Sequence, residues 1–380
     1  MKLLEELTKG KSYNAHKYDL DIITDQPTID YTEQTIVWEK SGETSQNKKY
    51  VPLKDYSDEL ARSDKQVLNY FLDGSRHVFK VDDIAFNDFD KSKVIYPVIA
   101  GQIGVGCCRR VDKKLTCENF IREFVLSLPQ IANIDDNNGF FPAIVQQLNE
   151  IPQVKRLGIE FSKILGYRSS RTEKKFEDLG VALIQKRMMD QEQSMVSALV
   201  RAGKLNQDNY LVKDGSLEYK FDLAVKKNDK DSQRFKQNYN YVIGVSKKFN
   251  PTVCANSKGK SDPGFIADLP IYNRTPAACF ISISGVEFAV WYIRIRDRKY
   301  TYNPFDGVIK VEKMLVTKSE IDDGMNSDLI DYLSALLINE RNPVCYGSDL
   351  RWANHIYPIY LTEQYIKSQY ISKEMFLQLF

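Results

Sequence analysis

The sequence predicts an α/β fold with a mixed central β-sheet flanked by helices, and three observations carry that prediction. Short apolar runs bounded by turn residues follow one another over 67–105. A long stretch of helical periodicity fills 176–202, and strand-like apolar runs return at 210–214 and 241–246. Three strands followed by helix–strand units indicate an α/β domain. With 380 residues and 43% hydrophobic content, the chain can bury a full core.

Taken in order, residues 1–60 are polar and turn-rich, an irregular N-terminal extension in which 42–49 reads as an exposed loop. Segments 67–72, 77–84 and 94–105 then form a meander of three strands. Helical spacing marks 119–128 and 143–151, separated by a loop at 135–139. The long helix stops at Gly203, a residue suited to a left-handed C-cap. Between the strands ending at Asp214 and Ser246, segment 226–237 reads as a charged, exposed insertion. Residues 250–276, with four prolines, form a long loop of the kind that borders active sites. Two strands or a hairpin, centred on Gly285, span 281–295, a strand covers 308–311, and helices cover 328–339 and the stretch from Thr362 onward.

Composition narrows the function classes. No apolar stretch approaches the length of a bilayer span, and the charged N-terminus is unlike a secretory signal, so a cytoplasmic protein without membrane contact is expected. Six cysteines, at 107, 108, 117, 254, 279 and 345, include no Cys-x-x-Cys pair and meet only three histidines, which argues against zinc and against a disulfide framework. The net charge of +2 balances 53 basic against 51 acidic residues. Local clusters such as Lys155-Arg156, Lys226-Lys227, Lys247-Lys248 and the Arg294, Arg296, Arg298, Lys299 group are candidates for a phosphate-binding groove. Nucleotide motifs fail on spacing. Gly259-Lys260-Ser261 lacks the glycine a P-loop needs at 254, and Gly101 to Gly106 carries the Rossmann spacing reversed.

The candidate site starts from Asp-Gly-Ser, which occurs twice, each time after an apolar run: Asp73-Gly74-Ser75 and Asp214-Gly215-Ser216. Each reads as a strand-end aspartate followed by a glycine that lets the backbone turn, although the same tripeptide is also ordinary turn chemistry. Two such strands side by side bring two carboxylates to one divalent metal ion, which suits metal-assisted phosphodiester cleavage. On the long helix Ile184, Met188, Met195 and Leu199 share a face that Glu192 interrupts, whereas Asp190 points to water. An acid on an apolar stripe lies near the stripe's edge, is paired, or coordinates a cation, and Glu192 is the candidate third ligand. Lys247, closing the strand over 241–246, is placed to hold a scissile phosphate.

These segments, in this order, resemble the NurA family of DNA end-processing nucleases. The matching residues are Leu72-Asp73-Gly74-Ser75-Arg76, Arg187 and Glu192, Val212 to Leu217, Val242 to Lys247, the strand 288–294 and Tyr357-Pro358-Ile359-Tyr360-Leu361. The resemblance implies that 61–380 is an RNase H-like nuclease domain. It also implies Mn²⁺- or Mg²⁺-dependent DNA cleavage, a homodimer, and a HerA-type hexameric ATPase as partner in DNA repair or antiviral defence. By the same resemblance Asp73, Glu192 and Asp214 are metal ligands, with Arg76, Arg187, Lys247 and Lys248 contacting nucleic acid. The family places a His or Asp after the Tyr-Pro…Leu segment, where this chain reads Thr362-Glu363-Gln364-Tyr365. Glu363 or His355 substitutes, or that ligand is missing. The alternative expectation is a catalytically degenerate DNA-binding adaptor on a motor ATPase.

Overall fold

The computed structural model describes residues 2–13, 17–19, 36–37, 41–45, 49–63, 65–87, 93–134, 139–169, 175–218, 229–255, 260–282, 285–301, 303–343 and 352–380. Strands β1 (Val51–Pro52), β2 (Leu68–Asn87), β3 (Lys93–Val111), β4 (Lys114–Pro129), β5 (Phe161–Tyr167), β6 (Tyr210–Asp214), β7 (Val242–Ser246), β8 (Asn273–Arg274), β9 (Ala278–Ile281), β10 (Glu287–Arg294) and β11 (Val308–Met314) belong to one mixed sheet. Its main path runs β1-β8-β10-β11-β7-β6-β2-β3-β4-β5, with β9 beside β10. The helices around it include α1 (Lys54–Ser63), α2 (Phe140–Glu150), α3 (Phe176–Arg201), α4 (Asp229–Asn238), α5 (Ser327–Asn339), α6 (Tyr357–Ser368) and α7 (Lys373–Leu377). Strands β2, β3 and β4 form an antiparallel meander; after α3, β6 returns parallel to β2, and β7 lies parallel to β6. That order, β4-β3-β2-β6-β7, is the RNase H-like arrangement.

Side-chain alternation along each strand sorts the core into two faces. Leu72, Ile103, Leu211 and Val242 pack with Val181, Ile184, Met188 and Leu199 of α3. Phe71, Val212, Ile243 and Trp291 pack on the opposite face with Ile330, Leu333 and Leu337 of α5 and with Ile359 of α6. The Trp291 indole N–H donates to Ser334 Oγ at 2.9 Å, so the largest buried ring leaves no polar group stranded. Glycines of β3 let both helices approach. A Cβ at Gly101 would meet Ile184, and one at Gly104 or Gly106 would meet Ile366.

Several sequence expectations change. Segments 67–72 and 77–84 are one strand, β2, and the expected helix over 119–128 is instead part of strand β4. Phe124 to Leu128 are buried on both faces, and a short apolar run of that kind has no period that separates strand from helix. The expected exposed loop at 42–49 begins with buried Gly42 and Glu43. The Glu43 carboxylate accepts from Arg274 Nη1 at 3.0 Å and Nη2 at 2.9 Å, and a lone carboxylate there would be costly. The described part of the charged insertion, 229–237, lies in helix α4. Residues 219–228 and 135–138, and Cys345, lie outside the described residues. The C-terminal helix begins at Tyr357, five residues early, with Pro358 in its first turn, where the missing N–H costs nothing. The cysteines at 107, 108, 117, 254 and 279 are free thiols, and no helix among the described residues is long and apolar enough to cross a membrane.

Candidate active-site cleft

The two aspartates arrive at one level of the sheet. Parallel pairing of β2 with β6 matches Phe71 to Val212 and Leu72 to Lys213, so Asp73 and Asp214 come next on adjacent strands. Strand β6 ends there, and Gly215 turns the chain at φ +81° while its N–H donates to Val245 O at 2.8 Å. Strand β2 does not end. It continues through Gly74 to Asn87, and on this side its next strand partner is the short Tyr18–Asp19, which pairs from Phe79. The interval opens on a cleft of about 820 Å³ lined by Asp73, Arg76, Asp214, Lys247, Glu363 and Tyr370, among others.

The expectation of a turn at Asp73 is therefore corrected. Gly74 does not have positive φ; its lack of a side chain admits the Glu192 carboxylate, with which a Cβ would collide. Because neighbouring strand residues point to opposite faces, Glu192 over Gly74 lies on the α3 side, and Asp73 points with Phe71 toward α6. Glu192, 3% exposed, pairs with Lys213 at 3.0 Å and does not line the cleft. Burial works against the Lys213 ammonium, but Glu192 beside it outweighs this and lifts its pKa. Lys213 Nζ also donates to Asp214 O at 2.8 Å and Ser216 O at 3.3 Å, which ties the Glu192 pair to the turn that carries Asp214.

On the cleft side, Lys247 Nζ lies 3.0 Å from Asp214 Oδ2 and 3.5 Å from Glu363 Oε2. Lys247 is 9% exposed; burial opposes its charge, but Asp214, Asp73 and Glu363 together hold the proton on and raise its pKa. Asp73 has no lysine within salt-bridge distance among the described residues. Burial first, and then the Asp214 charge, push its carboxyl well above the usual range, with Lys247 pulling the other way. Among the described residues, no group of three His, Cys, Asp or Glu side chains is arranged to hold a metal ion. Lysines stand between the carboxylates instead.

No protein-family model matches the chain, and no curated protein does. Among solved structures it is similar to the crystal structure of the NurA nuclease from Sulfolobus solfataricus, with 9% identity over 86% of this chain and 89% of that one, at a TM-score of 0.42. A likeness of that degree carries no argument about chemistry.

The remaining candidates divide. Arg76 lines the cleft, its Nε donating to Gln185 Oε1 at 2.5 Å. Arg187 is held by Glu123 at 2.8 and 2.6 Å, and neither it nor exposed Lys248 lines the cleft. Of the two substitutes for the family's final ligand, Glu363 lines the cleft, whereas His355 is buried with its ring 5.4 Å from that of Tyr360. Among the described residues of the 250–276 segment, none lines the cleft. Arg294 is no phosphate ligand: it is 1% exposed and donates to the carbonyls of Ala267, Leu269, Pro304 and Asp306. Sequence reasoning missed Lys213, although a lysine inside Tyr210-Leu211-Val212 and Asp214 was a visible break in an apolar strand, and it missed the cleft residues Lys367, Tyr370 and Lys373.

Proposed function

We propose that this chain hydrolyses phosphodiester bonds in DNA at the cleft that brings Asp73 and Asp214 together, with a divalent cation as the expected cofactor. The observation that supports this reading is a pair of carboxylates at matching positions of two parallel strands beside an open cleft, one of them buried and without a lysine of its own. Hard carboxylate oxygens such as those of Asp73 and Asp214 suit Mn²⁺ or Mg²⁺, and holding an ion here requires the side chains around Lys247 to regroup, since that ammonium lies against Asp214 and Glu363. When bound, such an ion lowers the pKa of an attacking water and stabilises the leaving oxygen. The chain's own residues bind and orient. Arg76, Lys367 and Lys373 meet the phosphates along the cleft, Lys247 keeps its proton and offers charge to the scissile group, and the Glu192–Lys213 pair fixes the Asp214 turn. A second copy of the chain and a HerA-type hexameric ATPase belong to the same proposal, in repair or in defence against foreign DNA.

The second reading, an adaptor that binds DNA without cutting it, draws on Lys247, which lies against two of the three carboxylates. Labelled linear and single-stranded DNA incubated with Mn²⁺, Mg²⁺ or EDTA separates the two. The nuclease reading expects metal-dependent cleavage that Asp73→Asn lowers by about 10²-fold or more, the scale of one lost electrostatic contact in a preorganised site. Binding without cleavage in every metal would leave the adaptor reading standing.

A further inference from the structure

We infer that Cys108 and Cys117 are an oxidation site, closing a reversible disulfide within the chain when it meets a peroxide. Strands β3 and β4 are joined by the tight turn Asp112-Lys113, whose residues have positive φ of 48° and 63°, as a two-residue hairpin loop requires. The turn sets Val111 opposite Lys114, and counting back from it puts Cys108 directly opposite Cys117. Opposed residues of an antiparallel pair have Cα atoms about 4.5 Å apart at non-hydrogen-bonded positions and about 5.5 Å apart at hydrogen-bonded ones. Both separations lie within the roughly 4.4–6.8 Å that a disulfide bridges.

The two side chains leave the sheet on one face, and α6 marks that face. The Cys108 thiol meets the Thr362 hydroxyl and the Cys117 thiol meets the Tyr365 hydroxyl, one turn apart on the same side of the helix. Cys107 points the other way, into the core against α3. The ladder is also loose here. Cys107 pairs with Asn119, which leaves Glu118 without an opposite residue, and a bulge of this kind lets the strands adjust to sulfur–sulfur geometry. The thiols differ in access: Cys117 is exposed and Cys108 is 5% exposed. Cys117 therefore meets the oxidant. Its sulfur takes one peroxide oxygen as the O–O bond breaks, and the other oxygen leaves as water. The Cys108 sulfur then attacks the resulting sulfenic acid; the S–S bond forms, the S–O bond breaks, and the hydroxyl leaves with the Cys108 proton as a second water. Two electrons pass from the thiol pair to the peroxide, and an added dithiol restores both thiols by exchange. The same helix carries Glu363 and Lys367 into the cleft, so the two redox states hold that wall by different contacts. None of this depends on what the cleft cuts.

The full chain is treated with hydrogen peroxide, its remaining thiols are blocked with iodoacetamide under denaturing conditions, and a non-reducing digest is mapped by tandem mass spectrometry. Cys107→Ala and Cys108→Ser are treated alongside. The expected result is a peptide linked through Cys108 and Cys117 that dithiothreitol abolishes, in wild type and Cys107→Ala alike. In Cys108→Ser the link is lost, and the Cys117 sulfenic acid persists long enough for dimedone to label it. If Cys108→Ser does not fold, the wild-type and Cys107→Ala maps decide. A bond through Cys107, a bond between two chains, Cys117 driven to sulfinic acid with Cys108 still blocked by iodoacetamide, or no oxidation of either thiol overturns the inference.

Discussion

Asp73 is a carboxylate kept where a folded chain, left to itself, would not keep one. It is 5% exposed, and burial followed by the Asp214 charge raises its pKa well above that of an unfolded aspartate. The sign follows from linkage. Below the unfolded pKa both states hold the proton and Asp73 costs nothing; as pH rises toward and through the raised folded value, the cost of ionising it in place grows to its full size. Asp73→Asn should therefore stabilise the fold at neutral pH, raising Tm by roughly 2 °C or more, and the gain should vanish near pH 3–4, where a free aspartate protonates. Thermal melts of both proteins across that range check it; equal Tm values at neutral pH would remove the claim that Asp73 is strained by its charge. Asp73 and Asp214 were legible because a carboxylate after an apolar run is conspicuous. The purpose of Gly74 was not, because a glycine that permits a turn and one that admits a neighbouring carboxylate are spelled alike. Glu192 was rightly read as buried on the apolar stripe, but which side of the sheet it served depended on Lys213 and on strand parity.

At the scale of elements, the cleft depends on how α6 is seated. Ile366 enters the groove left by Gly104 and Gly106 on β3, one turn from Glu363. Ile366→Ala should cost about 2–5 kcal/mol in urea unfolding and should also weaken Mn²⁺ binding by loosening Glu363; a loss below about 0.5 kcal/mol would mean that the glycine groove does not hold the helix. The sequence showed α3 well, from its C-cap glycine back to Phe176, because a 26-residue helix repeats its period many times. Strand β4 was read as helix because its buried end, Phe124 to Leu128, offered only four apolar residues around Ser127 and no alternation. The division of 67–84 into two strands had the same root: Asp-Gly-Ser carries a turn signal that the pairing of β2 with β3, continuous from Tyr70 to Asn87 apart from one bulge, overrides.

For the whole molecule, the decisive contacts are long-range and leave little local trace. The pairing of β2 with β6 joins residues about 140 apart, and the buried Glu43–Arg274 pair binds the N-terminal segment to β8. A net charge of +2 likewise hides a cleft in which Asp73, Asp214 and Glu363 meet Lys247 and Lys367. The α/β class and the two aspartates could be read from the chain; the notch where β6 stops and β2 runs on could not, since it is a property of unequal strand lengths in register. That notch is where the proposed chemistry is set. Its most direct test is a crystal of the full chain soaked in Mn²⁺ and measured at the manganese absorption edge. The account predicts an anomalous peak between the Asp73 and Asp214 carboxylates and within reach of Glu363. No peak with Mn²⁺ in excess, or a peak on the Glu192 side of the sheet, would contradict it.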